Sequence, residues 1–306
     1  MTSPHVVPRH EAPFRGRFGS RAEIMSELGV ATQTIATTLS REVISNDPQG
    51  ALAAVAQGSF TTAEILSLTH PNGESDWLQR AVVNAANAQV ARFQSYNAAG
   101  GAATITAIID RRMWDIPTTG ESTPPPITAW LDGLWAALIC RDHRLINFLL
   151  GTPDTEPLSV DRLIGSGNEI NDYHFLWAKA WRQYWTARAD EVQAVLDAEK
   201  ATLPENYNRP EPDTAPYGIL IAYPAINLLS LLVHRQVADF NTALAQALED
   251  HSAYWSSGDR EMNPHGLIAW PLLAVASEAV NRGIQIQVES NYLPSALLER
   301  DWAQPA

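Results

Sequence analysis

The sequence predicts a mainly α protein: an irregular multi-helix bundle or array with a short β-hairpin near 103–117 and a short strand near 284–290. Three observations carry that expectation. Apolar residues recur at helical spacing through most of the 306 residues. Capping residues, prolines and glycines frame those stretches where helices would start and stop. β-Branched clustering and strict apolar–polar alternation are confined to two short segments.

Taken in order, residues 1–20 are expected to form a flexible arm, and 21–306 a single all-α domain. Ser20-Arg-Ala-Glu23 reads as a capping box ahead of Ile24, Leu28, Ile35 and Leu39, and Thr61-Thr-Ala-Glu64 as a second box ahead of Ile65, Leu66 and Leu68. A long helix is expected from Ser75 or Asp76 to about Tyr96, stopped by Gly100-Gly101. Thr104, Ile105, Thr106, Ile108 and Ile109, with Met113 to Ile116 beyond Asp110-Arg111-Arg112, read as the hairpin. Pro124-Pro125-Pro126 stiffens the next connector and marks a candidate subdomain boundary at 118–127.

Beyond it, Trp130, Leu131, Leu134, Trp135 and Leu138 outline the core face of an amphipathic helix. A helix from about Glu169 to Arg188 would carry Tyr173, Trp177, Trp181 and Trp185 on one face. Gly218 to Val233 is a 16-residue apolar run containing Pro224, shorter than the roughly 20 residues a bilayer needs, and reads as a buried core helix. Asp239 is expected to cap a helix over Phe240 to Tyr254, and Asn263-Pro264 to open one that closes at Arg282-Gly283. Ile284, Ile286 and Val288 alternate with Gln285, Gln287 and Glu289 as the short strand.

Charge narrows the function classes. The chain carries 34 Asp and Glu against 21 Lys and Arg, a formal −13 at pH 7. Residues 150–213 hold 12 acids and 6 bases, and 214–306 hold 9 and 4. An acidic second half disfavours nucleic acid and can steer a basic protein partner. The amino terminus lacks the apolar stretch of a signal peptide, and the single cysteine, Cys140, cannot close an internal disulfide. A cytoplasmic protein with no membrane contact is the expectation.

Catalytic signatures are missing. Gly16-Arg-Phe-Gly19 and Gly165-Ser-Gly167 lack the rest of a phosphate loop, and neither a Gly-x-Ser-x-Gly elbow nor a His-Glu-x-x-His motif occurs. No histidine has another at i+3 or i+4 for a helical metal site, so neither metal nor cofactor is expected. Cys140-Arg-Asp-His143 has nucleophile–base spacing, but Cys140 continues an apolar face and reads as a core cysteine. The Tyr173–Trp185 row reads first as helix packing, then as a binding face. A catalytic cleft comes last, since Glu169 and Asp172 on one helix cannot flank a glycosidic bond. Asp190-Glu191, Asp197, Glu199 and Glu205 form either a solvated helix face or a docking surface.

The second half also carries an ordered pattern. Leu138-Ile139-Cys140-Arg141, Tyr173, Trp177 and Tyr184-Trp185 begin it; Tyr223-Pro224, Ile226-Asn227-Leu228, Phe240-Asn241, His251 and Tyr254-Trp255 continue it. Gly266 to Ala269 with Pro271-Leu272, and Val288-Glu289-Ser290 with Tyr292-Leu293-Pro294, close it. Over roughly residues 75–302 this resembles the immunity protein 49 family, bacterial proteins held to protect against toxins of polymorphic toxin systems.

The resemblance implies a non-enzymatic inhibitor that binds a cognate toxin, which the acidic half suggests is basic; it leaves the oligomeric state open. Trp177, Trp185, Pro224, Asn227, His251, Trp255, Pro271, Glu289, Tyr292 and Pro294 read as framework, Asn227 as a buried amide. The contacts are expected on Glu169, Asp172, Asp190, Glu191 and Asp197. Two alternatives stand beside it: an all-α carbohydrate-active enzyme with a Trp-lined groove, and a helical scaffold without a toxin partner.

Overall fold

The computed structural model describes residues 4–10, 41–98, 103–119, 125–151, 171–187, 190–207, 214–299 and 302, with scattered positions between 23 and 38. Chain order is β1 (His5–Val6), α1 (Arg41–Asn46), α2 (Pro48–Ser67), α3 (Asp76–Asn97), β2 (Thr104–Ile109), β3 (Arg112–Pro117), α4 (Ile127–Cys140) and α5 (His143–Leu150). There follow α6 (Tyr173–Trp185), α7 (Glu191–Ala201), the single turn α8 (Thr214–Tyr217), α9 (Tyr223–Val233), α10 (Val237–Trp255), α11 (Trp270–Asn281), β4 (Val288–Glu289) and α12 (Ser295–Leu298). The chain is a mainly α multi-helix array, as its periodicity predicts.

α2, α3 and α4 pack side by side, and α11 crosses α4. The main core runs through this stack into α6, α7, α9 and α10, with Trp130, Trp177, Trp181 and Trp270 among its largest fully buried side chains. The small-residue stripe of α3 (Ala81, Ala85, Ala88) is buried and allows the close approach of α2 and α4. A smaller core under the hairpin joins Leu52 and Val55 of α2 to Ala107, Ile109 and Ile116. The hairpin is antiparallel, with Ile109 opposite Arg112, and turns on Asp110 and Arg111 at φ 51° and 60°.

Several helix boundaries differ from the sequence signals. Thr61 and Glu64 lie inside α2 and open nothing. That helix starts at Asp47, whose carboxylate accepts from Gly50 N at 2.9 Å, with Pro48 in the first turn. Asp239 sits in the first turn of α10, which begins two residues earlier with Gln236 as its cap. Asn263 does cap, accepting from His265 N at 3.0 Å, but only a short 3₁₀ turn, Pro264–Leu267; α11 starts at Trp270 with Pro271 in its first turn. α11 closes at Arg282 and Gly283 (φ 84°), as expected. The helix expected over 169–188 is seen as α6, Tyr173–Trp185, with Glu169 outside the described residues.

Pro224 explains a local irregularity. It cannot donate a backbone hydrogen bond, and the turn before it, Gly218–Ala222, widens to π geometry before α9 resumes. The expected strand shrinks to β4, which pairs in parallel with β1 at the other end of the chain, His5 opposite Val288 and Val6 opposite Glu289. Within the stretch read as an arm, residues 4–10 thus lie on the body. Buried Arg9 donates to Ser67 Oγ at 2.8 Å, Ser67 O at 3.0 Å, Leu267 O at 3.1 Å and Asn291 O at 3.0 Å. Gly100-Gly101, the Ser20 box apart from Glu23, and Gly165-Ser-Gly167 lie outside the described residues.

Candidate functional site

The acidic residues singled out in the sequence divide between two ends of one helix pair. Positions 186–190 turn the chain so that α7 runs back along α6, bringing Tyr207 beyond α7 to 5.6 Å, ring to ring, from Tyr173 at the start of α6. Asp190 is exposed and Glu191 half-buried at the start of α7; Asp197 is half-buried and accepts from Gln193 Nε2 at 2.8 Å. Asp172 is exposed at the opposite end, about 20 Å away along α6 at 1.5 Å per residue. Asp190, Glu191 and Asp197 therefore share a face, and Asp172 does not.

That face also carries apolar side chains. α7 buries Ala194, Val195 and Ala198 and leaves Val192 40% and Leu196 44% exposed, with Leu203 just past its end 42% exposed. Exposed aliphatics beside carboxylates make an amphipathic surface on which apolar area can be buried while charge sets orientation.

The framework residues are mostly internal. Trp177 and Tyr292 are fully buried, and His251, Trp255, Pro224, Pro271 and Pro294 are buried. Trp185 is half-buried, and its Nε1 donates to Asn147 Oδ1 at 3.0 Å. Asn227 is half-buried, which corrects the expectation of a buried amide. Glu289 has an exposed side chain, and its role is carried by the main chain, whose carbonyl accepts from Val7 N at 2.9 Å. The Val288–Pro294 run is the seam between the N-terminal segment and the core: His10 Nδ1 lies 2.6 Å from Tyr292 Oη, and Tyr292 O accepts from Ala269 N at 3.0 Å. The Tyr173, Trp177 and Trp181 rings are core packing. Cys140 packs against the core with its thiol pushed well above the usual range by burial and by Asp142.

Reading the sequence missed a polar centre inside the array. Glu64, in the middle of α2, is fully buried. Its Oε1 accepts from Trp270 Nε1 at 2.8 Å and lies 2.9 Å from His265 Nδ1. Burial opposes charge on His265, but Glu64 and then Asp132 outweigh it and raise the imidazole to about 9. Asp132 of α4 is pushed up to about 6, chiefly by burial; Glu64 adds to the rise, while His265 and Arg92 oppose it. Glu64 Oε2 and the Nε1 atoms of Trp135, Trp177 and Trp181 are buried without hydrogen-bond partners. The missed signal was local: Glu64 stands between Ala63 and Ile65-Leu66, where a solvated carboxylate is out of place.

Among the described residues no group of three or more His, Cys, Asp or Glu is placed to hold a metal ion, and no helix is long and apolar enough to cross a membrane. The geometry is that of a helical array with an amphipathic acidic face and a desolvated polar centre. Compared with protein families, residues 74–297 match the model of Immunity protein 49. The chain belongs to the immunity protein 49 family. No curated protein and no solved structure matches it.

Proposed function

We propose that this protein is an immunity protein that binds and neutralises a cognate bacterial toxin by tight protein–protein association, without catalysis. The observation that carries the reading is the family match across residues 74–297, most of the chain. The surface we assign to the toxin is the α7 face, with Asp190, Glu191 and Asp197 around Val192, Leu196 and Leu203; Asp172 and Glu169 belong to its outer margin. Protection of this kind needs nanomolar binding, about −12 kcal/mol, drawn from an interface of roughly 1,600 Å². Apolar anchors supply most of that energy, and the carboxylates set approach and register.

Co-expression with the product of the adjacent open reading frame tests the reading. Rescue of growth together with a co-purifying complex is the expected result. A neighbour that is harmless alone, or lethal despite co-expression, removes the toxin partner and leaves the helical-scaffold reading in its place.

A further inference from the structure

Asp132 sits where the two ends of an aromatic arc meet. His174 stacks on Tyr217 at 6.0 Å, and Tyr217 meets Tyr254 edge-on at 5.8 Å. Tyr254 meets Trp255 at 5.1 Å, and Trp255 meets His265 at 5.7 Å, both again edge to face. His265 then reaches Glu64 at 2.9 Å. Asp132 lies within electrostatic range of Tyr217 at one end of the arc and of His265 and Glu64 at the other. Reaching both ends places its carboxyl on the concave side.

The polar atoms gathered there lack partners. Asp132 makes no hydrogen bond and no ion pair, although it keeps accessible surface. The hydroxyls of Tyr217 and of Tyr173, itself only 2% exposed, have no hydrogen-bond partner, and Glu64 Oε2 is buried without one. Arg92 of α3 is the nearest fixed cation, but it forms no salt bridge with Asp132 and donates instead to Gln89 Oε1 at 3.0 Å. The native contacts leave an unsatisfied carboxylate, two unsatisfied phenols and several ring faces turned toward one space. Those rings already accept a guanidinium elsewhere: Arg260 Cζ sits 4.4 Å from the Tyr254 ring centroid.

We propose that the arc is a receptor for a cationic head group, an alkylguanidinium or alkylammonium, held by the Asp132 carboxylate against the faces of Tyr217, Tyr254 and Trp255. A cation among ring faces gains from their quadrupoles, and one beside a desolvated carboxylate restores the charge balance that burial disturbs. The head can arrive on an arginine or lysine of the partner or on a free small molecule. The partner source rests on the immunity reading; the receptor itself does not.

The test uses the full-length chain and butylguanidinium chloride, with sodium chloride at equal ionic strength as the control. The expected result is a saturable change in tryptophan fluorescence with the probe and none with sodium. Asp132→Asn, whose fold is checked by circular dichroism, should weaken the probe at least tenfold, and Tyr217→Phe should weaken it less. Probe binding should also fall as pH drops below 6, where Asp132 takes up a proton in the field of Glu64, Arg92, His265 and Tyr217. A probe that behaves like sodium, or that acts equally on wild type and Asp132→Asn, overturns the proposal.

Where a toxin complex has been isolated, the source follows from a second arm. If a toxin side chain fills the arc, the complex excludes the probe and Asp132→Asn weakens toxin binding. If the ligand is free, the complex still takes the probe and toxin affinity is unchanged. Either result keeps the receptor, and the first arm stands even if no toxin partner exists.

Discussion

A few buried ionisable side chains set how this protein responds to pH. Burial lowers His174 to about 4 and His251 to about 3, despite hydrogen bonds to Asn171 O at 3.1 Å and Gly266 O at 3.0 Å. Both stay neutral in the fold, whereas in the unfolded chain each takes a proton below about 6.5. Their contribution is therefore present above pH 6.5 and is lost as pH falls toward 4 and 3. Asp132, raised to about 6, runs the other way and returns some stability as it is protonated. His265, raised to about 9, contributes stability that is complete below 6.5 and lost as pH rises through 9. These four groups together place the stability maximum near pH 6.5. Urea midpoints at pH 4.5, 6.5 and 9 check this, with two variants to separate the limbs. Glu64→Gln should flatten the alkaline limb, because the carboxylate that keeps His265 charged is gone. His251→Gln should gain on wild type by about 1.4 kcal/mol per pH unit as the solution is acidified below 6.5. Parallel profiles for wild type and both variants would show that these residues do not titrate as described.

Among the elements, the Asp47 cap and the Thr61 box carry the same kind of signal with opposite outcomes. Asp47 holds Gly50 N at 2.9 Å at the true start of α2, while Thr61 lies two-thirds of the way along that helix. Asp47→Ala should cost about 1 kcal/mol in chemical denaturation, and Thr61→Ala should change stability by no more than about 0.5 kcal/mol. Equal losses would mean that α2 has a second nucleus at Thr61. The contrast shows what was legible in advance. Helices with long apolar stripes, α3 and α4 above all, and the hairpin could be read because their periodicity is local. Local caps could not be ranked, since a Ser/Thr-x-x-Glu spacing also arises inside a helix whose Glu faces the core. β4 was only partly legible, because the partner that makes it a strand, His5–Val6, lies at the far end of the chain. The polar centre was not legible at all: Glu64, Asp132 and His265 come from three separate elements, and only packing brings them together. The acidic α7 face could be read residue by residue, but its separation from Asp172 depends on α7 turning back along α6.

For the molecule as a whole, charge is distributed to favour one approach direction. The first 149 residues hold 13 acids and 11 bases, while the remainder hold 21 and 10. A basic partner is drawn toward the second half, where α7 presents Asp190, Glu191 and Asp197 around exposed Val192, Leu196 and Leu203. Steering acts on the encounter rate and is screened by salt over about 10 Å at 0.1 M ionic strength, whereas buried apolar contacts act mainly on dissociation. The two parts of the face are therefore separable by kinetics. Asp190→Lys, Glu191→Lys and Asp197→Lys together should slow association with the toxin at least tenfold at low salt, and the deficit should shrink at high salt. Leu196→Ala with Val192→Ala should leave association nearly unchanged and speed dissociation. Asp172→Lys alone, about 20 Å away along α6, should do much less than the triple reversal. Stopped-flow measurements across an ionic-strength series distinguish these outcomes. A low-salt association rate unaffected by the triple reversal would move the toxin to another face. The family match and the immunity function would remain, because neither depends on which surface makes the contact.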